Sequence, residues 1–379
     1  MRTTVTLLSF CVAALMALGL VMLYSAKMTA ANAAHLLMLQ SLWAGVGLVA
    51  GGVLAALDYR QLRRLAWPLL GLTLVLLALV FVPGIGKAAG GAHRWIKLPG
   101  FQVQPSELAK LALILAAAAY GERFARQLGT FKHGLFLPAV LFGPVLALIF
   151  VEPDRGATIL LAAVLAVMFL VAGVRWRYFI GAALAGGAFI VFSVLNDPLR
   201  MRRVFAWLDV EANKSGAGYQ PYQSMIAIGS GGWLGVGLGN GMQKLGYVPE
   251  HHTDFILAVI GEELGLIATL GVLLGFILIV ACGTLIALRA RDTFGLLLAT
   301  GITFLIGCQA FINIGVVTNV LPNKGLALPF ISYGGSSLVV MLSAVGLLIS
   351  VARHAREGES LPLPANPLEP ANPFAARTV

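Results

Sequence analysis

The sequence predicts an all-α integral membrane protein of about ten transmembrane helices, and two observations carry that expectation. Hydrophobic residues fill 59% of the 379 positions and charged residues only 11%, with a mean hydropathy of +0.89. A water-soluble fold cannot hide that much apolar surface in one core. The apolar residues also gather into runs of about 18 or more, long enough to cross a hydrocarbon layer of roughly 30 Å as helices.

The first run, at about 5–25, follows Arg2 and ends near Tyr24-Ser25-Ala26 in the manner of a signal peptide. Its apolar core is too long for one and many spans follow, so it reads as a retained first helix. Further runs lie at about 36–57, 65–82, 106–120, 134–151, 156–174 and 178–195, the fourth run being short. A long connection, 196–253, then precedes an unusually long eighth run at 254–287, and the last two cover 294–317 and 335–352. Residues 1–356 thus form one polytopic domain, and 357–379, rich in proline with Ala-Asn-Pro repeated at 365–367 and 371–373, form a disordered cytoplasmic tail. Cys11, Cys282 and Cys308 lie inside apolar runs without metal or disulfide spacing and serve packing.

Orientation follows from the basic residues of the short connections. With the N-terminus in the cytoplasm, 14 of the 26 Lys and Arg residues fall inside, including Arg60, Arg63, Arg64, Arg123, Arg289, Arg291 and Arg353. Both termini are then cytoplasmic and the bulky connections, 83–105 and 196–253, lie outside. Topology and anionic lipid headgroups account for the net charge of +10, so no nucleic-acid partner is needed.

The sixteen carboxylates can be placed one by one. Asp58, Glu122 and Asp292 fall in cytoplasmic connections and are expected to be solvated. Glu107 and Lys110, three apart after Pro105, share a helix face and can pair. Glu152-Pro153-Asp154-Arg155-Gly156 has the composition of a tight turn. Glu262 and Glu263 fall about 12 Å inside the eighth run, where an ionised carboxylate costs about 2.5–3.5 kcal/mol, so they must be paired, protonated or facing a polar cavity. The run from Gly229 to Gly241 has neither the lysine nor the strand–helix setting of a phosphate-binding loop; it reads as a flexible or re-entrant segment passing close to other helices or a ligand.

Tyr247-Val248-Pro249-Glu250-His251-His252-Thr253-Asp254-Phe255 is the most concentrated polar string at the outer face. Asp254 there can meet a headgroup while partly desolvated. A helix cap by Thr253 or Asp254 accounts for it as well on local sequence. Metal ligation by His251, His252 and Asp254 is disfavoured, because adjacent histidines point apart on a helix.

An ordered set of strings then identifies a resemblance. Gln104-Pro105-Ser106-Glu107-Leu108-Ala109-Lys110, Glu152-Pro153-Asp154, Gly216-Ala217-Gly218-Tyr219-Gln220, Gln243-Lys244-Leu245, Pro249-Glu250, His252-Thr253-Asp254-Phe255, Gly261-Glu262-Glu263-Leu264-Gly265, Lys324-Gly325 and Pro329-Phe330 through Ser336-Ser337 resemble the SEDS family of bacterial cell-wall polymerases over about 5–353. Leu321-Pro322-Asn323-Lys324-Gly325 looks more like its division branch than its elongation branch. Three features depart from the family's usual pattern: His251, Asn323, and Arg155 after Glu-Pro-Asp.

The resemblance implies a glycosyltransferase that polymerises lipid II, an undecaprenyl-diphosphate-linked disaccharide-pentapeptide, at the outer face of the bacterial cytoplasmic membrane. It implies Asp254 as the catalytic base. Substrate-binding candidates are Lys324, Lys244, Arg94, Arg202, Arg203, Glu250, His252 and Ser336, with Glu107 and Lys110 as a membrane ion pair. A divalent cation such as Mg2+ or Mn2+ could join the site, and no organic cofactor is implied. The implied partners are a class B penicillin-binding protein and other division membrane proteins, besides lipid II and membrane lipids. Buried ionisable groups also suit a transporter that flips lipid-linked precursors, and a non-catalytic scaffold is the third alternative.

Overall fold

A computed structural model describes residues 1–28, 33–84, 86–89, 92–98, 101–242 and 253–355. In chain order the helices are α1 (Arg2–Lys27), α2 (Ala33–Ala56), α3 (Leu62–Leu79), α4 (Pro105–Arg123), α5 (Leu137–Val151), α6 (Arg155–Val171), α7 (Trp176–Leu195), α8 (Pro198–Leu208), α9 (Tyr219–Gly231), α10 (Ile256–Leu288), α11 (Thr293–Val317) and α12 (Gly335–Arg353). Every apolar run of the sequence is one of these, and α8 and α9 are additional, lying within the long connection. Eight helical segments are long and apolar enough to cross a membrane among the described residues; α6 is apolar but shorter. The fourth run, α4, keeps Glu107, Lys110, Glu122 and Arg123 along its length.

The core lies between α4, α6, α10, α11 and α12. Leu113, Leu160, Ile260, Leu298 and Leu348 there have no exposed surface. Around this core the helices α2, α5 and α7 turn large apolar side chains outward, such as Val49, Val140 and Leu184, as a lipid-facing surface requires. Lipid cannot drive helices together by the hydrophobic effect, so close backbone approach between small residues does much of the packing. Between α2 and α12, a Cβ at Gly51 would sit 2.6 Å from the carbonyl oxygen of Leu342.

Two features differ from a purely helical expectation. The 83–105 connection carries a small antiparallel sheet of β1 (Gly86–Ala89), β2 (Ala92–Leu98) and β3 (Phe101–Val103), with Ile96 opposite both Gly86 and Val103. The glycine run after α9 passes close to another helix, as its composition suggested. It inserts where α10 breaks, at Gly265 with φ 76°. Gly235 reaches φ 80° there, and its missing side chain lets the loop pass against the backbone of Glu263 and Leu264. The loop amides of Val236 and Gly237 donate to the carbonyls of Glu262 and Glu263, at 3.0 Å each.

That insertion explains two acids inside an apolar helix. Glu262 accepts the Met242 amide at 2.8 Å, and Glu263 accepts the Gly239 amide at 3.0 Å and the Ser25 hydroxyl at 2.5 Å. They are acceptors for a loop that would otherwise bury unpaired N–H groups. The proline-rich tail lies outside the described residues.

A polar site at one end of the bundle

Asp254 sits in the turn 253–255 immediately before α10, half-buried. The helix N-cap is Phe255, so the capping position that local sequence offered to Thr253 or Asp254 belongs to an apolar residue. Two contacts from other elements fix the backbone here. Asn313 of α11 donates from Nδ2 to the carbonyl of Asp254 at 2.8 Å and to that of Leu326 at 2.7 Å. Ser332 donates from Oγ to the carbonyl of Thr253 at 2.6 Å.

The segment between α11 and α12 closes over this turn. A Cβ on Gly325 would collide with Oδ2 of Asp254, so the carboxylate lies directly against the Lys324–Gly325 backbone. Gln309 holds the next stretch by donating to the Ala327 carbonyl at 2.8 Å, and its Oε1 accepts from Lys110 at 2.9 Å. Lys110 in turn bridges both oxygens of Glu107 at 2.8 Å. The expected ion pair of α4 is therefore present, with the Lys110 side chain 1% exposed, and a chain of contacts links it to the segment carrying Lys324.

The turn between α5 and α6 packs on the same segment, Gly156 facing Leu326. Asp154 caps α6 by accepting the Ala157 amide at 3.1 Å. Arg94, on β2, donates from Nε to the Glu152 carbonyl at 3.0 Å and from a terminal nitrogen to the Pro153 carbonyl at 2.8 Å. Two of its donors are thus spent on holding the turn. The Glu152 side chain is wholly buried and neither carboxyl oxygen has a hydrogen-bond partner among the described residues. Burial, reinforced by the charge of Asp154 and only partly offset by Arg94, pushes its pKa up to about 8.

Lys324 makes no ion pair among the described residues. Burial, then the positive charges of Arg155 and Arg200, draw its pKa down against the opposing pull of Asp154. Ser336 is buried in the first turn of α12. Arg202 and Arg203 are exposed on α8. Lys244, Glu250 and His252, together with His251, lie outside the described residues. Among the described residues no three His, Cys, Asp or Glu side chains come together as a metal cluster.

The opposite end of the bundle corrects the expectation of solvated acids. Asp292 caps α11 through the Gly295 amide at 2.6 Å and accepts from Tyr59 and Arg60 at 2.8 Å each. Glu122 pairs with Arg63 at 2.9 Å. The sequence reading passed over Asn313 and Gln309, and quoted Ser332 within a motif without giving it a role. The first two carried a legible signal, since amides four apart in an apolar helix must find partners inside the protein.

These features define a polytopic membrane protein with a carboxylate against the backbone beside a half-buried lysine at one end. The chain matches the cell cycle protein model FtsW/RodA/SpoVE over residues 5–357 and belongs to that family. It is 46% identical over 348 residues to the "Probable peptidoglycan glycosyltransferase FtsW" of Geobacter metallireducens, covering 90% of this chain and 93% of that one. It is 39% identical to the stage V sporulation protein E of Bacillus subtilis, covering 90% and 95%. Among solved structures, it resembles a chain of a peptidoglycan synthase complex described for the coordination of polymerization and crosslinking, with TM-score 0.78, 34% identity and coverage of 91% and 96%. Thermus thermophilus RodA matches with TM-score 0.69, 33% identity and coverage of 93% and 97%.

Proposed function

We propose that this protein is a peptidoglycan glycosyltransferase that polymerises lipid II during septal cell-wall synthesis, with Asp254 as the general base. The observation that carries the assignment of the base is the contact of the Asp254 carboxylate with the Lys324–Gly325 backbone. An acceptor hydroxyl placed there gives its proton to the carboxylate as its oxygen bonds to the anomeric carbon of the donor sugar. The bond from that carbon to the diphosphate breaks, and the electron pair leaves with the lipid diphosphate. A positioned base contributes about 10²–10⁴ in rate. Lys324 lies next in sequence to the contact point and is suited to the charge that develops on the leaving group.

The site end is the outer one on this reading. Arg60, Arg63, Arg123, Arg289 and Arg353 gather at the other end, which the distribution of basic residues makes cytoplasmic. Similarity to relatives named for FtsW favours the division role over elongation. Similarity to a chain of a synthase complex supports a class B penicillin-binding protein as partner. A Mg2+ or Mn2+ ion needs only one or two carboxylates beside substrate phosphates, and Asp254 is suited to supply one. Such an ion would neutralise diphosphate charge.

The test is polymerisation of purified lipid II by the protein with its transpeptidase partner. Asp254→Ala is expected to yield no glycan strands while eluting and melting as the parent does. Parental rates from that variant would remove the role assigned to Asp254.

A further inference from the structure

Arg155 follows Glu152-Pro153-Asp154 in the turn between α5 and α6, and the structure gives it surroundings that call for an anion. It opens α6 beside the Asp154 cap, where the helix dipole already favours negative charge. Its guanidinium stacks 4.6 Å from the centre of the Phe150 ring, which fixes its plane without neutralising it. The Nε atom is buried with no hydrogen-bond partner, and no other contact of the side chain to a hydrogen-bond acceptor exists among the described residues. A buried guanidinium donor without an acceptor is costly unless something else supplies one.

Two further cations lie within electrostatic reach of Arg155. Lys324 feels the charges of both Arg155 and Arg200. Arg200, on α8, is bound to Asp197 at 3.0 Å and to the Ser193 carbonyl at 3.1 Å. Of the nearby acids, Asp197 offsets Arg200, and Asp154 is engaged with the Ala157 amide. Glu152 retains its proton near neutral pH and offsets nothing. Arg155 and Lys324 are left as positive charges without an ion pair among the described residues.

We propose that Arg155, Lys324 and Arg200 form the binding site for the diphosphate of the lipid-linked substrate, with Arg155 as its forked donor. A guanidinium matches two phosphate oxygens at once, which a lysine cannot do. Arg202 and Arg203, on the exposed part of the same α8, are left to meet headgroups. The proposal rests on the assignment of the chain as a transferase acting on a lipid diphosphate.

The experiment uses the full-length protein in detergent and measures binding of farnesyl diphosphate, with farnesyl monophosphate, inorganic diphosphate and phosphatidylglycerol nanodiscs as separate arms. The parent is expected to bind farnesyl diphosphate more tightly than the monophosphate, and inorganic diphosphate more weakly. Arg155→Leu is expected to lose about tenfold in affinity for farnesyl diphosphate, with Arg155→Lys recovering part of it. Arg200→Gln, at a more exposed position, provides a second probe if Arg155→Leu does not fold, with a smaller loss expected. Binding to phosphatidylglycerol should not change in either variant. Unchanged farnesyl diphosphate affinity in Arg155→Leu, or in Arg200→Gln where that variant alone folds, overturns the site, as does an equal loss towards phosphatidylglycerol. If the parent forms glycan strands but neither variant loses diphosphate affinity, the site fails and the transferase stands. If the variants lose affinity but no strands form under any condition, the site stands and the transferase fails.

Discussion

Asp254 and Asp292 both lie just before a long apolar helix, at opposite ends of the bundle, and they are used in different ways. Asp292 is the N-cap of α11 and accepts from the Gly295 amide, Tyr59 and Arg60. Asp254 stands one position outside the N-cap of α10 and lies against the backbone of Lys324–Gly325. Around Asp292 the charges are matched, Arg60 to Asp292 and Arg63 to Glu122. Around Asp254, among the described residues, the neighbourhood keeps an unpartnered Glu152 carboxyl, an unpartnered Arg155 nitrogen and a lysine without an ion pair. A fold that can pair its buried polar groups at one end and leaves them unmatched at the other has reserved the second for a ligand.

Pairing, rather than position, should decide whether a substitution is read out as stability. The largest loss is expected at Lys110, which lies at the site end yet is fully paired. Lys110→Ala would strand the buried Glu107 and Gln309 and cost about 3–5 kcal/mol, seen as a lowered melting temperature in detergent. Gly325→Ala comes next and should act on rate. Its methyl would push the Asp254 carboxylate aside, and a displacement of about 1 Å can cost about 10² in rate, with the melting temperature nearly parental.

Asp292→Asn should cost about 1–2 kcal/mol through weakened capping and loss of charge-assisted hydrogen bonds. Burial acts to raise the Asp292 pKa, but the Gly295 amide and the donors of Arg60 and Tyr59 outweigh it and hold the carboxyl below its usual range. Its contribution is present above the unfolded value of about 4 and is lost as pH falls towards the folded one. The Asn variant should lack that acid-side loss in a pH series of melting temperatures.

The smallest effect at acid pH is expected at Glu152, and it grows as the pH rises. Its folded pKa of about 8 is raised, so the native state keeps a proton that the unfolded chain has released. Stability should therefore decline as pH rises from about 4 to that value. Glu152→Gln mimics the neutral acid and should remove this decline, leaving the variant more stable than the parent at pH 8 and alike at pH 4. A parental pH dependence in the variant would break the contrast drawn between the two ends.

Much of this organisation was legible in the amino-acid order. Each apolar run became a helix, because span length and hydrophobicity dominate in lipid. The Glu107–Lys110 pair followed from helical spacing, and the close passage of the glycine run against a helix from its composition. The sheet at 86–103 was not legible, since three short strands gain their stability from pairing with one another and leave little periodic signal. Nor could local pattern show that Glu262 and Glu263 serve loop amides, a pairing made by tertiary contact. At the site, Asp254 stood out by its place in the polar string 247–255 and took its role from the family resemblance, while Lys324 emerged through that resemblance. Asn313, which ties the Asp254 backbone to that of Leu326, was passed over although it lies four residues from Gln309 in the same apolar helix.

One paired measurement tests the account most directly: lipid II polymerisation and detergent melting temperature for Asp254→Asn and Asp292→Asn, side by side with the transpeptidase partner present. The account predicts that Asp254→Asn melts as the parent does and makes no glycan strands. It predicts that Asp292→Asn melts lower and polymerises at a near-parental rate per folded molecule. Strand formation at the parental rate by folded Asp254→Asn would contradict it.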